Sequence, residues 1–174
     1  MTEENKKDGL NIIIAGNTGS GKTPITQRLL HNSNFQNKIV FQPPPSQSYS
    51  EADHTLFKRY ASFKEFMTEA MKEDEHGEIT LQKTFLVCED ATGFVGAHKE
   101  EELTQFLVNI EHTNNVCIYQ FHSLQDVPRY FVRYSHFLIW LQTNDDEKEV
   151  RNKNSILAAY FPLKQDRWID LRVQ

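Results

Sequence analysis

"LNIIIAGNTGSGKTPITQRLL", Leu10–Leu30, changes its period once, and that change decides the fold. Leu10–Ala15 is a β-branched run closed by Gly16, which reads as a strand. Thr23–Asn32 reads as a helix, with Pro24 in the first turn, where a missing N–H does no harm. Between them "GNTGSGKT", Gly16–Thr23, matches G-x-x-x-x-G-K-[ST] at every fixed position. Gly16, Gly19 and Gly21 allow a tight turn that aims backbone N–H groups at an anion, and the helix N-terminus adds its partial positive charge. The stretch therefore predicts a nucleoside triphosphate site. Asn17, Thr18, Gly19, Ser20 and Gly21 would wrap the phosphates, Lys22 would reach the β- and γ-phosphates, and Thr23 would offer its hydroxyl to Mg²⁺.

The rest of the chain alternates strands and helices. "KIVFQ" (38–42) is a second strand, followed by a loop, "PPPSQSYSEADH" (43–54), that starts with polyproline character. Residues 55–74 carry Leu56, Phe57, Tyr60, Phe63, Phe66, Met67 and Ala70 at three- and four-residue steps, which predicts an amphipathic helix broken near Ala61. "TFLVCED" (84–90) is a third strand, and residues 98–114 form a helix with the stripe Leu103, Phe106, Leu107 and Ile110. "NVCIYQFH" (115–122) and "SHFLIWLQT" (135–143) are the fourth and fifth strands. Residues 144–161 read as a last helix, capped by Asn144 or Asp145 and carrying Glu147–Arg151 and Glu149–Lys153 at i,i+4. "RWIDLRV" (167–173) alternates, as an edge strand would. The fold class is α/β, with a mainly parallel sheet covered on both faces. Residues 1–9 are expected to be a polar, flexible arm and 10–174 a single domain.

Composition narrows the function classes. The net charge of −5 argues against a constitutive nucleic-acid coat protein. The polar start has no signal-peptide pattern, and "HFLIWL" falls far short of the roughly 20 residues a spanning helix needs. A cytoplasmic protein is expected, in a host's cytoplasm if phage-encoded, and one without a membrane partner. The two cysteines, Cys88 and Cys117, read as free core thiols. No Cys/His cluster suggests a structural metal site.

"TFLVCED" ends in two acids. A phosphate-binding loop needs an acid at a neighbouring strand end to hold the magnesium. Adjacent strand residues point to opposite faces, so Glu89 and Asp90 cannot share one job while the chain stays extended. One can face the magnesium. The other reaches the attacking water only if the chain turns at the strand end, as "ATG" after it permits, or it merely caps that turn. At the tip of the fourth strand, His122 is the first candidate to touch the γ-phosphate, with Gln120 and Ser123 behind it. Arg129 and Arg133 lie four apart on a helical turn. They are open to three readings: an arginine finger for a neighbouring site, a phosphate clamp within the chain, or a solvated face.

Taken together, "GNTGSGKT", "FLVCED" and "HSLQDVP" resemble the FtsK–HerA class of ASCE ATPases, the DNA pumps of chromosome segregation, conjugation and phage packaging. The likeness covers about Leu10 to Thr143. It implies a three-layer P-loop NTPase sandwich with the five strands ordered 5-1-4-3-2, which sets the Cys88 and Cys117 strands side by side. It implies ATP and Mg²⁺ as ligands, Glu89 on the magnesium side together with Thr23, Asp90 as the base that activates water, and His122 as sensor. It also implies a homo-oligomeric ring, and nucleic acid as partner by analogy alone. The family usually places Asp before Glu; here the order is exchanged, and the shorter second acid points to slow hydrolysis. The chain would be a minimal motor core. Two other readings compete. A nucleotide or small-molecule kinase would set the acidic strand directly beside the P-loop strand, and an ATP-binding switch or adaptor would barely hydrolyse.

Overall fold

The computed structural model describes residues 9–44, 49, 57–141, 143–146 and 148–150, and the backbone of 168–170. The strands are β1 (Leu10–Ala15), β2 (Asn37–Phe41), β3 (Lys58–Tyr60), β4 (Thr84–Cys88), β5 (Val116–Phe121), β6 (Phe137–Trp140) and β7 (Trp168–Asp170). The helices are α1 (Lys22–Asn32), α2 (Phe63–Ala70), α3 (Ala91–Val95), α4 (Glu100–His112) and α5 (Arg129–Tyr134). They build one sheet of order β3-β2-β4-β5-β1-β6-β7. Every pairing is parallel except that of β6 with β7. For the five strands expected from the sequence this is the order 5-1-4-3-2, and β7 supplies the C-terminal edge strand.

Continuous apolar strands require cover on both faces. On one face α1 packs through Leu30 over Ile14, Val40, Val87 and Ile118. On the other, α2 to α5 pack over Ile13, Ile39, Leu86, Cys88 and Tyr119. That gives three layers. The two thiols lie diagonally across β4 and β5, with Sγ atoms 3.9 Å apart and both buried and free. Burial pushes the Cys88 thiol well above its ordinary value.

Two local expectations need correction. Among the described residues, the helix expected over 55–74 is helical only at Phe63–Ala70, capped by Ser62, whose Oγ accepts from Glu65 N. Before it, Lys58–Tyr60 pairs with Ile39–Phe41 as β3. A spacing of three puts residues on one side of a helix but on opposite sides of a strand. Phe57 packs in the cluster under α1, whereas Tyr60 packs on Phe66 of α2. The periodicity of this stretch therefore served two faces of a sheet. The cap of the last helix is Asp146, whose Oδ1 accepts from Lys148 N at 2.9 Å and Glu149 N at 3.2 Å. Asp145 instead accepts from Leu124 N and Gln125 N, pinning the loop after β5. The pairs Glu147–Arg151 and Glu149–Lys153 lie outside the described residues, as do residues 1–8. Gly9 is buried against α4, where a Cβ would stand 2.1 Å from Ile110 O.

One polar residue ties the layers together at the sheet's N-terminal end. Asn11 is fully buried in β1. Its Nδ2 donates to Leu107 O of α4 (2.9 Å) and Tyr134 O of α5 (3.0 Å), while its Oδ1 accepts from Tyr119 Oη (2.8 Å). Replacing it by Ala takes an acceptor from the buried Tyr119 hydroxyl and a donor from two carbonyls. Asn11→Ala is expected to lower the unfolding free energy by about 3 kcal/mol, read from urea melts.

Candidate functional site

The phosphate-binding loop follows β1, and its glycines do the turning. Gly19 (φ 80°) and Gly21 (φ 97°) occupy the left-handed region, where other residues are strained. At Gly16 the limit is space: a Cβ there would meet Ser20 Oγ at 2.4 Å and Leu141 Cβ at 2.9 Å. The loop opens onto a cavity of about 500 Å³ lined by Asn17, Thr18, Gly19, Gly21, Lys22 and Thr23, and by Glu89, Asp90, Gln120 and His122 from the strand ends. Pro24, Pro43 and Pro44 complete its wall. Ser20 is placed otherwise, with its hydroxyl buried beside Gly16 and unpaired.

Both acids reach this cavity. Glu89 extends the β4 ladder, its N donating to Phe41 O, and is only 4% exposed. Like Val87 two residues earlier, it points toward α1, where Thr23 Oγ1 donates to its Oε1 at 3.2 Å. An extended Asp90 would point the other way. Instead its backbone is left-handed (φ 53°, ψ 56°) and begins α3. The chain therefore turns at the strand end, which is the condition for the second acid to join the first. The cap reading also holds, since Asp90 Oδ1 accepts from Gly93 N at 3.3 Å. Phe94 anchors the short helix, its ring stacked on Phe63 at 3.8 Å and edge-on to Phe41 at 6.0 Å. The core thus fixes where Asp90 turns.

His122 meets Asp90, with Nε2 3.3 Å from Asp90 Oδ1, both side chains being partly exposed. Its backbone N donates to Thr92 Oγ1. Gln120, two residues earlier, is buried and faces α1, where its Nε2 donates to Thr26 Oγ1 at 2.9 Å. The two strand-tip candidates therefore lie apart: Gln120 faces α1, as Glu89 does, and His122 meets Asp90. Arg129 and Arg133 are exposed on α5 and are not among the residues lining the cavity. Gln42 and Thr92 escaped the sequence reading, and Pro43 and Pro44 belong to the stretch read as a loop. The rule that picked out Gln120, a polar residue at a strand tip, applies equally to Gln42.

Lys22 Nζ donates to Gly16 O and to Asn17 O (3.0 Å). Burial lowers its ammonium below the ordinary value, while Asp90 and then Glu89 pull the other way. A lowered folded value means that the unfolded chain binds more protons between that value and 10.5, so stability rises with pH across this window. Below it, the buried charge penalises folding in full. Lys22→Met is expected to melt at higher urea than the native chain at pH 7 in phosphate-free buffer, the gap narrowing toward pH 10.5. ATP at 100 times its Kd should reverse the order, adding about 2.7 kcal/mol to the native chain alone.

No family model and no curated protein sequence matches the chain. Solved structures do. The DNA-packaging ATPase B204 of Sulfolobus turreted icosahedral virus superposes with a TM-score of 0.69 at 14% identity, over 97% of this chain and 95% of that one. The genome-packaging NTPase B204 of Sulfolobus turreted icosahedral virus 2, in complex with ATPγS, gives 0.66 at 15% identity, over 96% and 94%. The pCW3 conjugation coupling protein TcpA, also with ATPγS, gives 0.53 at 14% identity, over 87% of this chain and 53% of that one. The chain shares its fold with these P-loop ATPases, and at nearly full length with the first two.

Proposed function

We propose that the chain is an ATP-binding, Mg²⁺-dependent ATP-hydrolysing domain of the DNA-translocation or genome-packaging type. One observation carries the reading: Glu89 and Asp90, adjacent in sequence, line the same cavity as the phosphate loop because Asp90 turns left-handed. In this reading backbone N–H groups of 17–22 and the Lys22 ammonium bind the phosphates. The donor set fits magnesium, a hard cation: Thr23 Oγ1 and Glu89 Oε1 are oxygens 3.2 Å apart, with Glu89 buried. Thr23 would bind it directly and Glu89 through water. Magnesium, when bound, neutralises charge on the β- and γ-phosphate oxygens.

Asp90 is the base. Its Oδ1 holds the contacts to His122 and Gly93, and Oδ2 takes the proton of a water that attacks the γ-phosphorus. The bond from that phosphorus to the bridging oxygen breaks, releasing ADP and phosphate. His122 orients Asp90 and, as a residue lining the cavity, would face the γ-phosphate. Glu89 keeps to the other side of the strand and does not compete for this water.

The sheet order favours this reading over a kinase, because β5 intervenes between β1 and the acidic strand β4. The likeness to packaging and coupling ATPases supports a motor that acts on DNA. The exposure of Arg129 and Arg133, away from the chain's own cavity, supports a ring in which one copy completes the next copy's site. No described helix is long and apolar enough to cross a membrane.

Asp90→Asn is expected to lower the rate of phosphate release by about 10²–10⁴-fold while ATPγS still binds. Equal rates in the two proteins would remove Asp90 from the chemistry, and no turnover in the native chain, with or without DNA, would favour the switch reading. For the ring, Arg129→Ala/Arg133→Ala protein and Lys22→Ala protein should each be inactive alone and active when mixed. Failure of the mixture to recover activity would place the site within one chain.

A further inference from the structure

The sheet lays three polar side chains in one transverse row. Phe41 pairs with Cys88, and Cys88 with Tyr119. One residue further on, Gln42 of β2, Glu89 of β4 and Gln120 of β5 are therefore neighbours across adjacent strands. The ladder still holds at this level, since Glu89 N donates to Phe41 O and Gln42 N to Tyr60 O. All three follow by two residues an apolar side chain packed under α1, namely Val40, Val87 and Ile118. They consequently point to the α1 face. All three are buried, at 5%, 4% and 3% exposure. Gln120 is turned to Thr26 of α1, and Thr23 of the same helix reaches Glu89.

We propose that Gln42 is a positioning residue for Glu89: it stands on the adjacent strand, whose backbone runs about 4.8 Å from that of β4, and its side-chain amide holds the carboxylate toward Thr23, where magnesium would be bound. A buried carboxylate is held by its donors, and an unanchored one adopts several rotamers. Thr23 cannot do this alone, because its hydroxyl is also the direct ligand. Packing does not call for a polar group at residue 42, where the preceding residue on that face is valine. A glutamine buried beside an acid has a function there as a donor. Gln42 touches neither phosphate nor water in this scheme. It acts through Glu89.

This inference rests on the nucleotide–magnesium reading of the site, and its test separates the two. Mn²⁺ is the probe, its affinity for the protein–ATPγS complex being read by electron paramagnetic resonance. Gln42→Leu keeps the volume and removes the donor. Mn²⁺ is expected to bind it about 10-fold more weakly, while ATPγS affinity without metal stays within twofold. Gln42→Asn, should Gln42→Leu fail to fold, is read in the same way, and the shorter amide should recover part of the affinity. A double-mutant cycle with Glu89→Gln should show coupling, because without Glu89 the identity of residue 42 no longer matters. Unchanged Mn²⁺ affinity in Gln42→Leu or Gln42→Asn, or strict additivity in the cycle, overturns the proposal. If the native chain itself binds no Mn²⁺ with ATPγS, the magnesium reading fails and the proposal falls with it.

Discussion

Two neighbouring residues of an extended strand face opposite ways, and a site that uses both must break the strand between them. That constraint governs the cleft. Glu89 keeps the ladder and the α1 face. Asp90 leaves both by turning left-handed, which carries its carboxylate into the same cavity from the other side. The break has to be held in place, and the core does so. Phe94, four residues on, is wedged between Phe63 of α2 and Phe41 of β2. Gly93 leaves room for the acid, since a Cβ there would stand 3.1 Å from Asp90 Oδ2.

The loop that carries His122 is held from two sides. The Thr92 hydroxyl of α3 accepts from His122 N. Asp145, beyond β6, accepts from Leu124 N and Gln125 N, and Ser123 Oγ donates to Asp126. The strand-end loops on either side of β1 are thereby linked around the cavity at the phosphate loop. At the opposite end of the sheet Asn11 clips α4, α5 and β5 to β1. The Tyr134 carbonyl closes α5 and has no further turn to supply its donor, so the Asn11 amide supplies one there while also reaching the α4 backbone at Leu107 O.

Most of the fold was legible because strand and helix periods are local. β1, β4, β5 and β6 fall inside the runs read as strands, β2 starts one residue before its run, and the resemblance supplied their order. β3 was not legible. Phe57, Tyr60 and Phe63 at steps of three fit a helix, and only the presence of the β2 edge turns Lys58–Tyr60 into a strand. Of the site, the phosphate loop follows from "GNTGSGKT" alone, and the need for a turn at Asp90 follows from strand geometry. The pairing of Asp90 with His122 was hidden because it joins the ends of two strands 32 positions apart in number, through a left-handed residue that no pattern marks. Gln42 was hidden by a different cause: its partner is fixed by register, and register appears only when the strands are paired.

The exchanged order of the acids follows from what the two positions demand. Residue 90 must adopt φ 53° and cap α3. Aspartate is among the residues that enter the left-handed region most readily and is a favoured N-cap, whereas glutamate is neither. Residue 89 stays on the strand and must cross from the sheet to Thr23 on α1, which is a task for the longer side chain. An Asp–Glu order would strain the turn at 90 and shorten the reach at 89. The shorter acid loses about one methylene of reach but gains a backbone that has already turned toward the cleft. The order is therefore a matched pair of side-chain length and backbone conformation, with the long acid on the straight segment and the short acid on the bend.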